Sequence, residues 1–131
     1  MVTALSPLSI HPPFAPYSHG IEVPAGWRLV FCSGQVGIDP STGDIVPGGI
    51  EAETERVLKN LGAVLDAAGC SFADVVKTTC FLADIADFAT FNTIYARFFP
   101  DPPPARSTFQ VAALPKGARV EVEAVAVRDR A

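Results

Sequence analysis

Two stretches of the chain repeat their apolar residues every three or four positions, and five shorter runs alternate or cluster them, a pattern that predicts helices laid on a sheet. From Glu51 to Ala68, Val57, Leu58, Leu61, Val64, Leu65 and Ala68 share one helical face, and Gly69 follows as a stop. Glu51, Glu53 and Glu55 stand early in that helix, where the macrodipole favours acidic residues. A second helix begins after Asp84 and Asp87 and ends before Pro100; on it Phe88, Asn92, Tyr95 and Phe99 lie on one face, with Asn92 the polar member. Strands are predicted over 21–23, 28–35, 75–82, 106–112 and 120–127, from β-branched and aromatic runs broken by turn residues. In the last of these Val120, Val122, Ala124 and Ala126 face one way, and Glu121, Glu123, Val125 and Val127 the other. Residues 1–16 carry four prolines and read as an extended arm. The order of strands, helix, strand, helix and two strands predicts an α+β domain over 1–131, a mixed sheet with both helices on one face.

Composition narrows the function. Of 131 residues, 49% are hydrophobic and 18% charged, an apolar surplus for a small domain that predicts burial against further copies of the chain. The net charge is −4 and the ten basic residues are scattered, so the footprint that grips a phosphate backbone is missing and no nucleic-acid partner is expected. Three cysteines in no paired spacing and only two histidines argue against a disulfide framework and against a metal site. No run approaches the roughly 18 apolar residues of a membrane span, so the chain reads as cytoplasmic and free of membrane partners.

Charges placed inside apolar strands point to chemistry. Arg106 follows Pro102-Pro103-Pro104 and opens a strand, and Glu121 and Glu123 interrupt the last one. A guanidinium fork fits a carboxylate bidentately, which makes Arg106 an anchor for an acidic small molecule; an internal salt bridge to Glu121 or Glu123 is the alternative. For Glu121 the bland reading is a solvated strand carboxylate, for Tyr17 a packing aromatic, for Asn92 a buried amide satisfying backbone groups, and for Ser33-Gly34 a tight strand end.

Seven segments in order resemble the Rid family, also called the YjgF family, of reactive intermediate deaminases. They are Ala15-Pro16-Tyr17-Ser18, Cys32-Ser33-Gly34-Gln35, Val46-Pro47-Gly48-Gly49, Val75-Val76-Lys77-Thr78-Thr79, Phe91-Asn92-Thr93-Ile94-Tyr95, Pro104-Ala105-Arg106-Ser107, and Leu114-Pro115-Lys116-Gly117 through Glu121-Val122-Glu123-Ala124. The resemblance spans nearly everything from Pro13 onward. It implies a chorismate mutase-like fold with a mixed six-stranded sheet, a homotrimer with clefts between subunits, and a last strand inserted between the 28–35 and 75–82 strands, where the short 114–117 link alone suggests a hairpin.

The implied activity is hydrolysis of reactive enamines and imines, such as 2-aminoacrylate and 2-imino acids, to 2-keto acids and ammonia without metal or organic cofactor. By the same resemblance Arg106 holds the substrate carboxylate, Glu121 stands by the attacking water, and Tyr17, Ser33, Gly34 and Asn92 line the cleft. His19 and Thr108 depart from the family pattern, in which glutamine and cysteine are frequent, and bear on which imine is accepted. Two other readings compete: a non-catalytic sensor of 2-keto or 2-imino acids in the same clefts, and an endoribonuclease or translation inhibitor, which the acidic balance disfavours.

Overall fold

Eight elements follow one another in the computed structural model, which describes residues 1–129: strands β1 (Thr3–Leu5), β2 (Gly20–Glu22) and β3 (Arg28–Gln35), helix α1 (Gly49–Ala67), strand β4 (Val75–Leu82), helix α2 (Phe88–Phe98), and strands β5 (Ala105–Gln110) and β6 (Val120–Arg128). The main sheet has four strands in the order β3-β6-β4-β5, with β4 and β5 parallel and the other pairs antiparallel. The implied six-stranded sheet is thus divided: β1 and β2 form an antiparallel ribbon of their own. The arm predicted as extended contains β1, because Thr3, Ala4 and Leu5 find backbone partners in Glu22, Ile21 and Gly20. The hairpin suggested by the 114–117 link does not form, since β6 takes the central position beside β3 and β4.

Both helices cover one face of this sheet. α1 buries Val57, Leu58, Leu61 and Leu65 and α2 buries Phe91, Ile94 and Tyr95 against Cys80, Leu82, Val120, Val122, Ala124 and Ala126. Each buried Val, Leu, Ile or Phe among them contributes about 1.5–3 kcal/mol of transfer free energy. α1 ends as predicted: Gly69 takes a φ of 70°, and the Cys70 amide donates back to the Leu65 carbonyl at 2.8 Å. Asp84 caps the turn before α2 by accepting from the Ala86 amide at 2.9 Å.

The opposite face is open and sets large apolar side chains among polar ones such as Glu121, Glu123 and Lys77. Leu29, Phe31 and Phe109 are 57%, 75% and 45% exposed, and Phe81 meets Phe109 edge to face at 5.3 Å. Val127, expected on this face with Glu121, is instead fully buried, lining a concavity with Val2 and Trp27.

Glu53 differs from the acidic residues around it. It turns into the protein, 4% exposed, and accepts the Arg119 amide at 2.9 Å with the Arg119 Nε 3.7 Å away, while the Arg119 carbonyl receives the Ala83 amide. The start of β6 is therefore pinned to α1 and to the end of β4. Glu53→Ala leaves the Arg119 amide without its acceptor and is expected to destabilise the fold by about 1–3 kcal/mol, whereas Glu53→Gln, which keeps an oxygen there, recovers most of the loss. Urea midpoints of the two variants measure this difference, and equal midpoints would remove the pin from the account.

Candidate active site

Arg106 leaves edge strand β5 toward the helix-covered face, where four rings surround it. Its guanidinium carbon lies 4.9 Å from the centre of Tyr95, 5.6 Å from Phe88, 5.9 Å from Phe91 and 6.0 Å from Tyr17. Such faces attract a cation and shield it from water. One arm of the fork is fixed, since Nη1 donates to Asn92 Oδ1 at 2.8 Å. Among the described residues no acidic side chain pairs with Arg106, so the internal salt bridge to Glu121 or Glu123 does not form. Asn92 is accordingly a holder of the guanidinium and not an amide that satisfies backbone groups.

The aromatic box is electrically neutral. Burial pushes the Tyr95 phenol well above its ordinary range, with its oxygen 2.8 Å from the Thr78 hydroxyl, and burial lifts the Cys80 thiol to about 11 against a partly opposing pull from Arg106. Neither group supplies an anion at neutral pH. The charge on Arg106 remains available to a ligand.

Tyr17 reaches this strand because the arm is sewn to it. The Ser18 amide donates to the Pro104 carbonyl at 3.0 Å, the Ser18 hydroxyl donates to the Pro103 carbonyl, and Ser18 bridges in parallel with Ala105. The proline run that precludes a helix thus offers carbonyls to the segment that carries Tyr17. Phe14, Tyr17, Phe88, Arg106 and Thr108 line an open cavity of about 240 Å³. A larger groove of about 540 Å³ runs between α1 and α2 past Glu51, Glu55, Thr93 and Arg97, but it contains none of the predicted site residues.

Glu121, Ser33 and Gly34 form a second cluster. Between Cys32 and Gln35, β3 advances three residues while β6 advances two, from Ala124 to Val122, so Ser33 and Gly34 sit in a bulge. The Glu121 carboxylate lies across it. A Cβ on Gly34 would overlap that carboxylate, standing 2.8 Å from its carboxyl carbon, so a side chain there would push the Glu121 carboxylate aside. Glu123 is exposed beside Thr79 and makes no comparable contact.

The two clusters occupy opposite sides of the sheet. In β6 Val120 and Val122 point into the helical core, so Glu121 points to the open face, while Arg106 packs among the rings of α2. One chain brings Arg106, Tyr17 and Asn92 together and, separately, Glu121, Ser33 and Gly34. Of the two departures from the family pattern, Thr108 lines the Arg106 cavity, whereas His19 donates from Nε2 to the His11 carbonyl at 2.9 Å and latches the arm. Sequence reasoning missed Phe14 as a wall of this cavity, and Phe91, Phe88 and Tyr95 as neighbours of the guanidinium. For the last two the signal was present, in their shared helical face with Asn92.

Comparison with known proteins bears on the whole chain. The model of the endoribonuclease L-PSP family matches residues 9–128. The 2-iminobutanoate/2-iminopropanoate deaminase of Mus musculus is 55% identical over 113 residues, 86% of this chain and 82% of that protein. Among solved structures, RidA from an Antarctic Psychrobacter is 36% identical with a TM-score of 0.75 over 96% of this chain and 99% of that one. E. coli TdcF with bound serine is 42% identical with a TM-score of 0.73 over 89% and 91%.

Proposed function

The chain belongs to the endoribonuclease L-PSP family, and from that membership together with the Arg106 box we infer that it is a deaminase that hydrolyses reactive enamines and imines, 2-aminoacrylate and 2-imino acids, to 2-keto acids and ammonia. The observation that supports this most directly is a guanidinium held by Asn92 and four rings, without an acidic partner among the described residues, at the edge of a cavity. Such a group is prepared for an incoming carboxylate.

The chemistry asks little of the protein beyond placement. 2-Aminoacrylate first takes a proton on its methylene carbon and becomes 2-iminopropanoate. The protonated imine is already electrophilic at C2, so water adds there. Glu121 accepts a proton from that water and passes it to the carbinolamine nitrogen; as the C–N bond breaks, Glu121 takes the hydroxyl proton, C2 becomes a ketone, and the departing ammonia receives that proton and leaves as ammonium. The carboxylate of Glu121 also steadies the positive charge on nitrogen, while Arg106 fixes the substrate by its own carboxylate. Tyr17, Ser33 and Gly34 line the cleft, and Asn92 holds the fork. Neither metal nor organic cofactor enters these steps.

Because Arg106 and Glu121 leave opposite faces of the sheet, the complete site in this proposal lies between copies. The open face with Leu29, Phe31 and Phe109 is the surface that further copies cover, in a homotrimer of chorismate mutase-like subunits with three clefts. The chain acts as one domain over 1–131 with its arm at 1–16, in the cytoplasm, on small carboxylate-bearing substrates. Among the described residues no helix is long and apolar enough to cross a membrane. The acidic balance and the scattered basic residues argue against RNA as a substrate.

The test is a coupled assay in which an amino acid oxidase produces 2-imino acids and keto acid release is timed with and without the protein. Accelerated release is expected, and none across a panel of imines would leave only ligand binding. That serine occupies the TdcF crystal is why binding and turnover are to be measured separately.

A further inference from the structure

We propose that Phe14, together with Phe88, forms the wall that receives the side chain of the imino acid, so that this chain favours substrates with aromatic or large apolar substituents over 2-iminopropanoate. The inference rests on the deaminase reading and names the substrate class within it. Phe14 belongs to the same cavity as Arg106 but is not among the rings that face the guanidinium; it stands one ring further out, 5.7 Å from Tyr17 at 81° and 6.4 Å from Phe88 at 41°. When the fork holds the carboxylate, the group on C2 must extend away from the charge along that wall. There it meets apolar carbon and not a second charge.

Phe14 is 75% exposed, yet it is not on a loose end. The arm around it is fastened on both sides, by His19 donating to the His11 carbonyl at 2.9 Å and by the Ser18 amide donating to the Pro104 carbonyl at 3.0 Å. A large apolar ring held in place beside a charge-bearing cavity gains from any apolar group laid over it, and aromatic pairs gain beyond their buried area. A methyl substituent covers little of it.

The wall is tested by the ratio of kcat/KM for the imine of phenylalanine to that for the imine of alanine, in the wild type, Phe14→Ala and Phe14→Leu. The ratio is expected to fall by roughly tenfold in Phe14→Ala and by less in Phe14→Leu, as loss of apolar contact in a side-chain pocket gives. A ratio unmoved by both variants overturns the wall while leaving the deaminase standing. If the wild type turns over no imine, the deaminase reading fails, and the affinities for phenylpyruvate and pyruvate by calorimetry decide the wall in the same way. Sedimentation of Phe14→Ala closes the remaining route: dissociation relative to the wild type would assign the ring to contact between copies and end the proposal.

Discussion

Chains carrying Arg106→Ala and chains carrying Glu121→Ala, each nearly inactive alone, are expected to regain imine hydrolysis when denatured together and refolded. The reason is the sheet. Arg106 stands among the α2 rings and Glu121 on the open face, so in the proposed cleft between copies the fork comes from one chain and the acid from the next. In a random mixture about one cleft in four pairs an intact Arg106 with an intact Glu121, which sets the recovery near a quarter of the wild type refolded in parallel. Glu121→Ala alone is expected to lose about 10²–10⁴ in kcat while still binding 2-keto acids, if, as proposed, the acid handles water and the fork handles the carboxylate. Turnover unchanged in Glu121→Ala would favour the sensor. Absence of recovery in the mixture would place both groups in one chain's own site.

Arg106→Lys is expected to fail almost as badly as Arg106→Ala. The native fork already spends one nitrogen on Asn92 and lies within 4.9–6.0 Å of four ring centres, a setting shaped for a planar cation. A lysine ammonium is a point charge that cannot both keep Asn92 and grip a carboxylate with two parallel bonds. Loss of one partner in a desolvated charge pair costs about 2–5 kcal/mol, so kcat/KM should fall about 30- to 4000-fold in Arg106→Ala, chiefly through KM, and nearly as far in Arg106→Lys. Keto acid affinity should fall in parallel. Steady-state kinetics that leave KM in place would show that the carboxylate is held elsewhere.

Local periodicity made the helices and the longer strands legible in the sequence, because each buries one face against a common core. The spacing of Val57, Leu58, Leu61 and Leu65 and the alternation from Val120 to Ala126 placed those side chains correctly. What local pattern does not encode is which element lies beside which. The position of β6 between β3 and β4 came only through resemblance, while the short 114–117 link pointed to the wrong neighbour. Glu53 looked like its neighbours Glu51 and Glu55, and nothing local marks it as the one that meets the Arg119 amide. Val127 keeps the alternation yet is fully buried, which no local pattern marks. Of the site, Arg106, Asn92 and Glu121 could be singled out as charges or amides in apolar surroundings, and alternation set Glu121 opposite Val120 and Val122, but the face to which Arg106 turns could not be read. Phe14 sits in a proline-rich arm with no period at all, so only its ring contacts bring it to notice.

The central place of β6 also governs the order of events on the ribosome. Until residues 120–128 emerge from the exit tunnel, β3 and β4 have no strand between them, and α1 lacks the β6 part of the surface it packs upon. The nascent polypeptide must wait with bare backbone edges, exposed to chaperones and to its own copies, and then close in a single late step. Translation arrested short of Val120 should therefore yield protease-sensitive chains, whichever of the earlier segments have already been made.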